Sequence, residues 1–86
     1  MEQSTIEKIS QVALMQGVTT VNIHPVSNQI WFSVDGHDQT WNLVDVIETI
    51  FGVEIIDNSK YIDSNNLSFR IYPDNGLIIT IDGRTA

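Results

Sequence analysis

Asp35-Gly36-His37-Asp38 is the densest polar cluster in the chain. Two carboxylates and an imidazole this close could hold a divalent metal or move protons. His24 would join His37 only if neighbouring strands aligned them. A metal site needs converging ligands, which spacing alone does not supply. Asp-Gly also has a backbone reason to be here, since the pair suits a two-residue hairpin turn. We therefore read the cluster as a turn and expect no metal and no cofactor.

Other catalytic signatures are missing. The sequence has no phosphate-binding glycine loop, no Gly-x-Ser-x-Gly elbow and no zinc-type histidine spacing. It has no cysteine, so a thiolate ligand or thiol nucleophile is excluded. A domain this small rarely encloses a pocket. The expectation is a protein without catalytic residues.

Charge narrows the partners. The 86 residues carry 11 acids and 4 bases, a formal net charge of −7. The bases are Lys8, Lys60, Arg70 and Arg84, and none lies between Ile9 and Ser59. Direct nucleic-acid binding needs clustered cations to displace counterions, and this chain has none to cluster. That base-free stretch holds Asp35, Asp38, Asp45, Glu48, Glu54 and Asp57. These six define an alternative acidic surface if the fold brings them together. No apolar run approaches the ~20 residues of a membrane span. The N-terminus lacks the basic region of a signal peptide. The reading is one soluble, cytoplasmic domain.

The elements that position these residues follow from pattern. Ser4 or Thr5 caps a first helix, with Glu7 at capping-box spacing from Ser4. Ile6, Ile9, Val12 and Ala13 recur at helical spacing, and Gly17 ends the helix. Thr19–His24 alternates as a strand that Pro25 stops. Ile30–Val34 alternates again. The Asp-Gly turn then predicts a third strand, pairing Val34 with His37, Phe32 with Gln39 and Ile30 with Trp41. Asn42 caps a second helix, with Asp45 in its first turn. Leu43, Val44, Val46, Ile47, Ile50 and Phe51 give it an apolar arc wider than a surface helix shows. Such a helix is either packed deeply or part of a subunit interface. Gly52 ends it, 35 residues after Gly17.

Val53–Ile56 reads as a short strand, and Asp57 to Asn66 as a long polar loop. Leu67–Tyr72 and Leu77–Ile81 form a hairpin whose register is fixed by its apolar positions. Only a three-residue loop, Asp74-Asn75-Gly76, puts Leu67, Phe69 and Ile71 on the same face as Leu77, Ile79 and Ile81. This places Ile71 opposite Ile79 and Phe69 opposite Ile81. The tail from Gly83 is expected to fray.

The resulting expectation is an α+β fold, helix–three strands–helix–three strands. It has a mainly antiparallel sheet of five to six strands with both helices on one face. Residues 1–86 form one domain of two similar halves, about 1–41 and 42–83. Helix–three strands–helix resembles the double-stranded-RNA-binding domains in topology alone. The basic contact residues of that family are absent, so its function is not carried over.

With odd hairpin positions turned to the helices, the other sheet face carries Trp31, Ser33, Ser68, Arg70, Tyr72, Ile78 and Thr80. Trp, Tyr and Arg are the types enriched in binding hot spots. The leading functional expectation is a small acidic protein-interaction module. It binds a protein partner, or itself as a homodimer, through the open sheet face or the second helix. The partner-binding residues are Trp31, Arg70, Tyr72, Ile78, Val46 and Ile50. The alternative is an acidic inhibitor that occupies the nucleic-acid-binding groove of another protein, as small phage anti-defence proteins do.

Overall fold

Fourteen apolar side chains, among them Phe32, Phe69, Ile47 and Ile79, make one continuous buried cluster. The computed structural model describes residues 3–53, 59–63 (backbone only), 66–73 and 76–84. Its helices are α1 (Gln3–Val12) and α2 (His37–Phe51). Its strands are β1 (Val18–His24), β2 (Gln29–Asp35), β3 (Ser59–Asp63), β4 (Asn66–Ile71) and β5 (Ile78–Arg84). The fold is α+β. The sheet runs β1-β2-β5-β4-β3. The sheet is mixed: β2 and β5 are parallel, and the other pairs are antiparallel.

Alternation decides which side faces the core. Ile30, Phe32 and Val34 of β2 are buried, as are Leu67, Phe69 and Ile71 of β4 and Ile79 and Ile81 of β5. Ile9 and Val12 of α1 and Leu43, Val44 and Ile47 of α2 join the same cluster. Full burial of such side chains stabilises by about 1.5–3 kcal/mol each before conformational entropy is counted.

The register reasoned for the second hairpin is the register observed. Ile71 lies opposite Ile79 and Phe69 opposite Ile81. Gly76 has φ 73°, the left-handed conformation that its place at the end of the loop demands. Asp74 and Asn75 lie outside the described residues. Gly52 ends α2 in the left-handed conformation, with φ 69° and ψ 32°.

Several expectations need correction. The segment His37–Trp41 is the start of α2, not a strand. Val34, Phe32 and Ile30 therefore do not pair with His37, Gln39 and Trp41. They pair with β1 on one side and β5 on the other. The helix cap is Gly36 rather than Asn42. Two strands, not three, separate the helices, which removes the topological resemblance to double-stranded-RNA-binding domains. Four strands with described side chains, β1, β2, β5 and β4, form the mixed part of the sheet, and β3 pairs with β4 as its fifth. The boundary between halves at residue 41 falls inside α2.

The second half differs too. β3 begins at Ser59, inside the segment read as a loop. The strand expected at 54–56 lies outside the described residues, and Val53 precedes it without strand structure. The tail does not fray at Gly83, because β5 continues to Arg84 along β2. α1 starts at Gln3, ahead of the expected caps, and ends at Val12, before Gly17.

The wide apolar arc of α2 is accounted for inside the molecule. Leu43, Val44 and Ile47 are buried, and Val46, Ile50 and Phe51 are half-buried against the same core. α1 packs on α2, and Lys8 Nζ sits 5.1 Å from the Phe51 ring centroid. The helix is packed deeply, which is one of the two readings its sequence allowed.

Candidate functional site: the open face of the sheet

Even-numbered residues of β4 and β5 and odd-numbered residues of β2 point away from the core. Their registers place them in rows across the strands. Asn22, Trp31, Thr80 and Arg70 form one such row. Thr20, Ser33, Asp82 and Ser68 form the next. Asp35, Arg84 and Asn66 form the last.

The two ends of this face differ in chemistry. Trp31 and Arg70 are exposed and Ile78 is half-buried at one end, and the exposed Tyr72 follows directly after β4. Trp31 is 37% exposed, and its indole Nε1–H donates to Gln29 Oε1 at 3.2 Å. Thr80 is only 3% exposed although it sits on the outer side. Its cross-strand neighbours Trp31 and Arg70 flank it with long side chains. Three residues singled out from sequence, Trp31, Arg70 and Ile78, are thus gathered at one end, and Tyr72 follows the last residue of β4.

The other end is a polar groove of about 630 Å³, lined by Thr20, Ser33, Asp35, Asn66, Asp82 and Arg84 among others. The Thr19 hydroxyl, at a bulge in β1, donates to the Ser33 carbonyl at 3.1 Å. Two carboxylates, one guanidinium and several hydroxyls can hydrogen-bond a polar ligand or a partner's backbone. Sequence reasoning missed this groove because it needs the parallel β2–β5 pairing, which sets Asp35 beside Arg84. One signal was available: Ile79, Ile81 and Gly83 continue a single alternation, so the strand had reason to run past Ile81.

The remaining candidates sit elsewhere. Val46 and Ile50 lie on α2 against the core. Asp38 and Asp45 are exposed and Glu48 is half-buried on α2, while Asp35 lines the groove on the open face. Glu54 and Asp57 lie outside the described residues. His37 Nδ1 is 3.3 Å from Asp38 Oδ1 at the first turn of α2. His24 is at the end of β1, away from that turn. Among the described residues no three His, Cys, Asp or Glu side chains cluster as metal ligands. Among the described residues no helix is long and apolar enough to cross a membrane.

Trp41 lies in α2 rather than in the expected third strand, paired with Ile30. It stands on α2 with its ring edge-on to Phe69, centroids 5.0 Å apart, and remains 37% exposed. Comparison with protein-family models, curated proteins and solved structures finds no match for this chain.

Proposed function

We propose that this protein is a small acidic interaction module that docks a protein partner on the open face of its sheet, in the cytoplasm. The observation that supports this most is the convergence of Trp31, Arg70 and Ile78 at one end of that face, with the exposed Tyr72 immediately beyond β4. Aromatic and Arg side chains supply large contact area and directed hydrogen bonds, the ingredients of a hot spot. The adjoining polar groove supplies a rim that can satisfy a partner's polar groups. The second helix is the weaker candidate, because Val46 and Ile50 are half-buried against this protein's own core.

The test is a matched set of affinity captures from native lysate, comparing the wild type with Trp31→Ala, Arg70→Ala and Tyr72→Ala. The reading expects a protein retained by the wild type and lost with these variants. Retention through all three variants would refute it.

An acidic inhibitor remains the alternative. Its support is that Asp38, Asp45 and Glu48 share α2, a helix with no Lys or Arg. Asp35 lines the groove on the other side of the sheet and does not join that stripe. The double reversal Asp38→Lys/Asp45→Lys separates the readings. It abolishes capture under the inhibitor reading and leaves capture unchanged under the sheet-face reading.

A further inference from the structure

The two edges of the sheet are built differently. β3, at one edge, is five residues long, contains Lys60 and Asp63, and has an irregularity between Tyr61 and Asp63. Short length, charge and bulges are the devices that stop an edge strand from recruiting another strand. β1, at the other edge, is seven residues long and carries no Asp, Glu, Lys or Arg. Its bulge lies at the start, between Val18 and Thr20, and leaves Thr20–His24 in regular register with β2. Among the described residues β1 pairs on one side only.

We propose that this edge is a self-association site, where β1 pairs antiparallel with β1 of a second copy about a two-fold axis at Asn22. Two observations select a second copy as the occupant. The first is self-complementarity. Centring the axis on Asn22 sets Val21 opposite the second copy's Ile23, Thr20 opposite its His24, and Asn22 opposite Asn22. Val21 and Ile23 share the core side of the sheet with Phe32 and Ile30. Ile23 is left 39% exposed there, and pairing covers it. β-branched cross-strand pairs favour such a ladder, and Asn–Asn and Thr–His pairs can hydrogen-bond on the other side. An axis moved to Val21 instead would run Ile23 into the bulge at Thr19.

The second observation is charge. The molecule carries −7, so two copies repel at most approaches. The stretch from Ile9 to Val34, which includes all of β1, has no Asp, Glu, Lys or Arg. Contact along β1 keeps fixed charges off the interface itself. The isologous geometry also closes on two copies rather than growing a fibre. The site is the backbone edge of β1, beside the open face on which Thr20 and Asn22 stand; its readout is covalent β1–β1 trapping and not partner capture, so either proposal can fail without the other.

The chain has no cysteine, which permits a clean trapping experiment on the 86-residue chain. Directly opposed residues in an antiparallel pair lie about 4.5–5.5 Å apart at Cα. A disulfide accepts about 4.4–6.8 Å. Asn22→Cys is expected to form a covalent dimer under mild oxidation about tenfold or more faster than Ser27→Cys, an exposed control in the β1–β2 turn. Thr20→Cys and His24→Cys should each cross-link poorly alone and efficiently when mixed. Circular dichroism confirms that each variant is folded before trapping. Cross-linking of Asn22→Cys no faster than the control overturns the proposal. So does a mixture of Thr20→Cys and His24→Cys that behaves as the sum of its parts.

Discussion

Thr40 of α2 sits directly on Gly83 of β5. A Cβ added to Gly83 would lie 2.9 Å from Thr40 Cβ and in collision with Thr40 Oγ1 and Cγ2. Thr40 is fully buried, and its hydroxyl donates to the Gly36 carbonyl at 2.7 Å. The Gly36 N–H in turn donates to the Arg84 carbonyl at 2.7 Å. One small residue therefore lets the helix start meet the last strand, and the same contact holds Arg84 beside the groove.

Gly83→Ala should destabilise the protein by about 1–3 kcal/mol through overpacking. Adding Thr40→Ala removes the two closest colliding atoms, Oγ1 and Cγ2, and leaves only Cβ at 2.9 Å, so the double variant should lose less than the two single losses added together. Urea unfolding of the four proteins, read as a double-mutant cycle, measures the coupling.

Gly76 tests a different cause. Its φ is 73°, yet nothing lies within 4 Å of a Cβ placed there. Gly76→Ala should cost about 1 kcal/mol from backbone strain alone, and Gly76→Asn less. Equal losses at Gly76 for Ala and Asn would contradict a backbone origin.

α2 should be energetically one-sided. Leu43 and Ile47 are fully buried, whereas Asp45 is exposed. Leu43→Ala and Ile47→Ala should each cost about 2–5 kcal/mol. Asp45→Ala should stay within about 0.5 kcal/mol of the wild type. Thermal or urea denaturation of the three variants checks the contrast.

The open face should separate stability from binding. Trp31→Ala and Tyr72→Ala remove partly exposed side chains on a face without helix cover, so each should cost no more than about 1 kcal/mol. Both should nonetheless remove partner capture. A loss of folding comparable to that of Ile47→Ala would show that Trp31 serves the core instead.

Local signals were legible in the sequence and long-range ones were not. The β4–β5 register followed from the parity of Leu67, Phe69 and Ile71 against Leu77, Ile79 and Ile81, because a short loop ties parity to length. The start of α2 was misread for a physical reason. Thr40 occupies a core position, and a polar residue there hid the spacing Thr40, Leu43, Val44, Ile47. Without it, Asp35-Gly36 looked like a hairpin turn. In the structure the same glycine is a helix cap with φ 105°. The parallel β2–β5 pairing joins residues about 50 apart in sequence, as in Phe32 opposite Ile81. No local pattern encodes such a pairing, so the groove it builds was not visible.

The most direct test of the docking face uses its own indole. The chain has two tryptophans, Trp31 on the open face and Trp41 on the helix layer. In Trp41→Phe protein, Trp31 is the sole indole reporter. Titration with the captured partner should shift its emission to shorter wavelength and shield it from acrylamide quenching. The matching Trp31→Phe protein should show little change at Trp41. A silent Trp31 with a responsive Trp41 would contradict docking on the open sheet face.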